Sequence, residues 1–191
     1  MRLIFVTSFH GLISRNILAT PLLDILSWQN FKVVLLVPDY KRDYFLNEFG
    51  LKVHAIEGVS QKLTRVELVL RYFSLVLLNN QTMRIKRKTE MKGSGVWLAP
   101  LIGERSFFRF FLRRVSRFLT PTYPFDQLIE KYKPILIFST DGQNELDVRL
   151  VYAARRRCIP GVGMVRSWDN LTSKGVLRFK PDRLAVWNEI M

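Results

Sequence analysis

Leu3-Ile4-Phe5-Val6, running into Thr7-Ser8-Phe9-His10-Gly11, decides the fold of this chain. Four apolar residues without alternation read as a strand buried on both faces, the mark of a parallel sheet. The chain beyond Gly11 keeps the pattern going. Ile13, Ile17, Leu18, Leu22, Ile25 and Leu26 share one face of a helix predicted over Ile13 to Trp28. Val33 to Val37 is a second buried strand, closed by Pro38-Asp39. A short helix over Lys41 to Phe49 ends at Gly50, expected as a C′ glycine. Lys52 to Ile56 is a third strand, with His54 expected to pack against the core. This is βαβαβ from the first residues. It predicts an α/β fold: a Rossmann-like, doubly wound parallel sheet with helices on both faces.

The same alternation returns near the end. Ile135 to Ser139, Val162 to Val165 and Arg183 to Trp187 read as strands, with a helix over Asn144 to Arg157. Arg166 to Gly175 reads as a polar loop. Between the two sheet halves lies a different kind of segment. Thr64 to about Leu78 predicts a helix, Asn79 to Gly95 a basic loop, Glu104 to Leu119 a strong helix and Pro124 to Lys133 a short one. The whole chain, 1–191, is read as one domain with a basic helical insertion at about 62–120.

The 191 residues carry 30 Lys and Arg against 16 Asp and Glu, a formal charge of +14. That charge is concentrated. From Lys62 to Arg117 there are thirteen basic and three acidic residues, so the insertion holds +10 of it. An anionic partner is implied. The single cysteine, Cys158, excludes an intrachain disulfide framework and a cysteine-based zinc site. Two histidines, His10 and His54, argue against a His-rich metal site, and no metal or cofactor is expected. Only Gly11 follows the first strand where a dinucleotide site needs three glycines, and no Walker motif is present. The longest apolar stretch, Val66 to Leu78, contains Glu67 and Arg71 and is too short to cross a bilayer. A cytoplasmic protein is expected, with room for peripheral attachment at the inner face of the cytoplasmic membrane.

In an open α/β sheet, ligands sit outside the carboxyl ends of the strands. Three polar clusters fall there: Ser8, His10, Gly11, Ser14, Arg15 and Asn16 after the first strand; Asp141 and Gln143 after the fourth; Arg166, Ser167, Trp168, Asp169, Asn170, Thr172 and Lys174 after the fifth. His10 has the chemistry of a general base, with Asp141 or Asp169 to orient it, or it serves only as a helix cap. Trp168 is suited to stacking on a sugar face or to filling a core gap. The loop around it binds sugar or phosphate, or is a turn held by Asp169 and Asn170. Arg105, Arg109, Arg113 and Arg117 form a basic stripe on the Glu104 to Leu119 helix. Phe108, Phe111, Leu112, Val115, Phe118 and Leu119 lie at core spacing beside it, with Phe107 and Phe110 in addition. That combination suits an interfacial helix on anionic lipid, or a helix packed on the sheet with solvated arginines. Nucleic acid is a poor candidate, since no recognition signature accompanies the charge.

At Ser14-Arg15-Asn16-Ile17-Leu18, Arg166-Ser167-Trp168-Asp169-Asn170-Leu171-Thr172-Ser173-Lys174-Gly175 and Pro181-Asp182-Arg183-Leu184-Ala185-Val186-Trp187-Asn188-Glu189, the chain resembles the amino-terminal domain of GT-B-type glycosyltransferases. These belong to the glycosyltransferase / glycogen phosphorylase superfamily, of the bacterial surface-polysaccharide and lipopolysaccharide type. The resemblance implies a domain that binds a sugar or lipid-linked acceptor, with His10 as base and Asp141 orienting it or binding acceptor. It implies a nucleotide-sugar donor held by a second domain that would follow Asn188-Glu189. Read alone, the chain is expected to be a truncated half without transfer activity. The superfamily also implies a nucleotide-sugar epimerase or a glycerophosphotransferase as alternatives. A non-catalytic module on an anionic membrane is the alternative from another class.

Overall fold

The computed structural model describes residues 2–89, 106–167 and 170–186. Six strands form one all-parallel sheet in the order β3-β2-β1-β4-β5-β6. They are β1 (Arg2–Thr7), β2 (Phe31–Pro38), β3 (Ala55–Val59), β4 (Leu136–Ser139), β5 (Gly161–Met164) and β6 (Arg183–Ala185). The order reverses direction between β1 and β4, the topological switch point of a Rossmann-like sheet.

The alternation of side chains along the strands explains why both faces carry helices. Leu3 and Phe5 of β1, with Val34 and Leu36 of β2, join one apolar cluster; Phe125 and Ile129 of α7 (Phe125–Tyr132) and Leu146, Leu150 and Ala153 of α8 (Glu145–Arg156) cover it. Ile4 and Val6, with Val33, Leu35 and Val37, join a second cluster. Leu23 of α2 (Leu22–Trp28) and Phe45 of α3 (Arg42–Phe49) cover that one. Leu35, Leu36 and Phe5 are fully buried. Each such side chain stabilises the fold by roughly 1.5–3 kcal/mol.

Several elements differ from the sequence-based expectation. The first helix is not continuous. A short helix α1 (Gly11–Ile13) passes into a π-turn (Ser14–Leu18), and α2 starts only after Pro21. Proline has no N–H and disfavours helical backbone in the residue before it, so the run breaks at Thr20-Pro21. The Thr20 hydroxyl donates to the Ile17 carbonyl at 2.5 Å and closes the break. The third strand starts at Ala55, later than the expected Lys52. His54 therefore precedes it and is exposed, with its N–H donating to the Val33 carbonyl at 2.8 Å; it is not a core histidine. Gly50 is right-handed at φ −56°, not a left-handed C′ glycine. Its need is space: a Cβ there would stand 2.4 Å from the Leu46 carbonyl oxygen.

Between β3 and β4 come α4 (Arg65–Val76), α5 (Gln81–Thr89) and α6 (Ser106–Leu119). Helix α5 lies where a loop was expected. Its start is marked in the sequence by Asn80, whose Oδ1 accepts the Met83 N–H at 2.8 Å as an N-cap. Helix α4 opens with a complete capping box between Thr64 and Glu67. Leu70 and Leu77 of this segment pack on Leu112 of α6.

Candidate functional site

A cavity of about 400 Å³ opens at the switch point. His10 enters it from the turn after β1, Asp141 and Gln143 from the turn after β4, and Arg166 from the turn after β5. Ser173 and Lys174 add the end of α9 (Asn170–Ser173). The three polar clusters expected at the strand ends thus each reach one space. The sequence pattern does not reveal the residues that come from elsewhere: Arg71 on α4, Lys86 on α5 and Glu145 at the start of α8. Nothing in their spacing points to the sheet. Arg71 and Lys86 reach the cavity only because α4 and α5 fold back over it.

Beneath the cavity the ends of β1 and β4 are tied together. The Thr140 N–H donates to Thr7 Oγ1 at 2.9 Å, the Thr140 hydroxyl to the Thr7 carbonyl at 2.8 Å, and the Thr7 hydroxyl to Asp147 Oδ1 at 2.6 Å. Asp147 is fully buried. Burial, and then the negative charge of Asp141, push its carboxyl up to about 8, against the hydrogen bond from Thr7. At neutral pH it is a protonated acid.

Asp141 is only 6% exposed. Its Oδ2 pairs with Arg166 Nη1 at 3.1 Å, and its Oδ1 accepts the Gln143 N–H at 3.3 Å. Burial raises its carboxyl above the ordinary value, with Arg166 the main opposing influence. Glu145 is likewise raised by burial, opposed first by the buried Arg178 guanidinium, which donates to it. His10 is exposed, and its carbonyl accepts the Ile13 N–H at 2.9 Å, so its main chain caps α1. Its imidazole sits below the ordinary value of 6.5. Burial is the largest cause and Arg166 the next; Asp141 pulls the other way, and Lys174 and Lys41 add to the lowering. A neutral imidazole is the form that accepts a proton.

The remaining expected residues divide. Ser8 is buried and its N–H donates to the Leu36 carbonyl at 2.8 Å. Gly11 lines a second cavity of about 400 Å³ with Tyr40, Lys41 and Tyr44 on the far side of His10. Asn16 is exposed on the π-turn. Ser14 and Arg15 belong to the same turn. Ser167 is half-buried. Thr172 is exposed, and its carbonyl accepts Asn80 Nδ2 at 2.9 Å. Asn170 begins α9, while Trp168 and Asp169 lie outside the described residues, as does Arg105. Gln143 Nε2 donates to the Gly175 carbonyl at 2.8 Å. Gly175 has φ +97°, and a Cβ there would stand 2.7 Å from Ser74 Oγ. The Val176 N–H donates to the Ser74 carbonyl at 3.0 Å, fastening this loop to α4.

A third feature is apolar. Helices α4 and α6 enclose a groove of about 540 Å³ lined by Val66, Val69, Phe73, Phe108, Phe111 and Leu119, among others. Of the α6 residues at core spacing, only Leu112 is buried. Phe111, Phe118 and Leu119 are more than half exposed, as are Phe107 and Phe110. Neither apolar cluster on the sheet includes a residue of α6; among the described residues it packs on α4 and the 176–177 segment and meets α8, whose Tyr152 hydroxyl donates to the Arg113 carbonyl at 3.4 Å. The basic stripe is not uniformly solvated either. Arg109 is half-buried, Arg113 Nε donates to the Leu177 carbonyl at 2.9 Å, and Arg117 is exposed.

Among the described residues no group of three or more metal-ligating side chains occurs, and no helix is long and apolar enough to cross a membrane. Fold and cavity together define an α/β domain with a polar site at its topological switch point. No protein-family model and no curated protein matches the chain. Among solved structures it is similar to MurG of Acinetobacter baumannii, at 13% identity and a TM-score of 0.47. That match covers 97% of this chain and 45% of the other, so the chain spans less than half of MurG's length.

Proposed function

We propose that this chain is the acceptor-side domain of a GT-B-type glycosyltransferase that moves a sugar from a nucleotide-sugar to a lipid-linked or polysaccharide acceptor. The supporting observation is the meeting of His10, Asp141, Gln143, Arg166 and Lys174 in one cavity at the switch point. Transfer needs a base to take the acceptor hydroxyl's proton. In this reading His10 is that base, its imidazole held below the ordinary value first by burial and then by Arg166. Asp141 and Arg166, paired with each other, form the wall against which the acceptor is placed. The donor belongs to a second domain facing this one.

The test is a transfer assay on the protein as its gene encodes it, with labelled nucleotide-sugars and a lipid-linked acceptor extract. His10→Ala is expected to lower the rate at least about a hundredfold while the melting curve stays in place. A near-normal rate in that variant removes His10 from the chemistry. The absence of transfer from every nucleotide-sugar removes the whole reading.

The exposed aromatics of α6 favour a second role for the same chain, attachment to an anionic membrane. Phe107, Phe110 and Phe118 are 65%, 65% and 66% exposed, with Arg109, Arg113 and Arg117 on the same helix. Sedimentation with vesicles of phosphatidylcholine and phosphatidylglycerol checks this. Neutralising Arg105, Arg109, Arg113 and Arg117 together is expected to weaken binding by up to about a thousandfold, at roughly 1 kcal/mol per charge near the surface. Binding that survives the fourfold change rules out the basic stripe.

A further inference from the structure

Four cations from four separate elements are directed at the switch-point cavity: Arg71 from α4, Lys86 from α5, Arg166 from the turn after β5, and Lys174 after α9. Among the described residues two carboxylates line the same space, and both have guanidinium partners. Asp141 pairs with Arg166, and Glu145 with Arg178. The third nearby acid, Asp147, is protonated at neutral pH. The described lining is therefore net positive. Like charges brought together from distant points of the chain repel one another, more strongly where water is partly excluded. A phosphate placed among them would relieve that repulsion. The start of α8, a helix of 12 residues, adds to the same field, because Asn144, Glu145 and Leu146 line the cavity at its positive end.

The kind of anion can be narrowed. Guanidinium groups match the oxygens of phosphate in pairs, and ammonium groups serve phosphate as point charges. A volume of about 400 Å³ exceeds what inorganic phosphate fills and leaves room for a sugar ring beside it.

We infer that this cavity takes a ligand bearing a phosphate or diphosphate, held by Arg71, Lys86, Arg166 and Lys174 with its sugar toward His10. This deepens the acceptor-side reading by giving the acceptor its charged group, and it rests on that reading only for the direction of the sugar.

Calorimetric titration of the full chain with pyrophosphate and with glucose 1-phosphate tests the phosphate site. A vesicle arm separates a soluble from a lipid source: phosphatidylcholine vesicles doped with polyprenyl phosphate, against vesicles doped to equal charge with phosphatidylglycerol. Saturable binding of either soluble probe is expected, weakening with salt. Arg71→Gln and Lys174→Gln, both at exposed positions, are each expected to weaken it about tenfold, while Arg114→Gln on α6 leaves it unchanged. Preference for the polyprenyl phosphate vesicles that Arg71→Gln abolishes assigns the group to a lipid carrier; soluble binding without that preference assigns it to a free sugar phosphate. No saturation with any of the three phosphates, or binding indifferent to Arg71 and Lys174, overturns the inference. The two readings fail separately. Phosphate binding without sugar transfer leaves the site standing and removes the transferase; transfer unaffected by Arg71→Gln does the reverse.

Discussion

Arg149→Ala is expected to lower the stability of the fold by about 3–5 kcal/mol, the cost of leaving a buried charge without its partner. Arg149 on α8 and Glu67 on α4 form a two-pronged ion pair, with the side chains 7% and 0% exposed. Arg149 Nε donates to Glu67 Oε1, and Nη2 donates to Oε2 at 2.5 Å. The carboxylate is also committed locally. It accepts the Thr64 N–H at 2.7 Å and the Thr64 hydroxyl at 2.8 Å, so it caps α4 as well as joining it to α8. Burial pushes the Glu67 carboxyl upward, but the bonds from Arg149 and Thr64 outweigh it and hold the group below the ordinary value. The expected loss is a large share of a typical total of about 5–15 kcal/mol. Urea denaturation measures it. Glu67→Leu with Arg149→Leu removes both charges at once and is expected to cost much less than Arg149→Ala. A single variant that loses under about 1 kcal/mol would show that the pair is not desolvated.

Asp147→Asn is expected to become progressively more stable than the parent as pH rises from about 4 to about 8. Asp147 titrates near 8 in the fold, well above the ordinary value of 3.8. Between those limits the folded chain holds a proton that the unfolded chain has released. Stability then falls with rising pH, by up to about 1.4 kcal/mol per pH unit for one group. Above the folded value both states are ionised and the loss stops growing. Asparagine keeps an acceptor for the Thr7 hydroxyl and has no proton to lose. The difference between the two proteins reports this group together with its coupling to Asp141. Over the whole window it is on the order of 5 kcal/mol. Denaturation curves at pH 5, 6, 7 and 8 that shift in parallel for both proteins would show that Asp147 is ionised throughout.

The sheet was legible because it is written in runs of one kind. Val33 to Val37 and Leu3 to Val6 lack alternation, and only a strand covered on both faces tolerates that. The residues at the carboxyl ends of β1, β4 and β5 were legible for the same reason, since strand ends are where this architecture exposes polar groups. What escaped depends on contacts distant in sequence. Arg71 reads as a charge interrupting an apolar helix, and only the fold of α4 over the switch point turns it into a wall of the cavity. Glu67 and Arg149 are separated by 82 positions, so nothing local marks them as partners. The break at Pro21 and the cap at Asn80 were present as local signals and outweighed by hydrophobic periodicity and by charge. The aromatics of α6 show the converse. Their spacing is that of a core helix, yet among the described residues none of them joins either apolar cluster on the sheet.

The junction of Gly175 with Ser74 sets a gauge. On one side of it α4 carries Arg71; on the other the chain carries Lys174, one residue away. Since a side chain at 175 has no room, the main-chain attachment points of the two cations are held close together, while their side chains keep their own reach. If the proposed phosphate site holds, a larger residue at 175 would spread those two attachment points and weaken the hold on the anion.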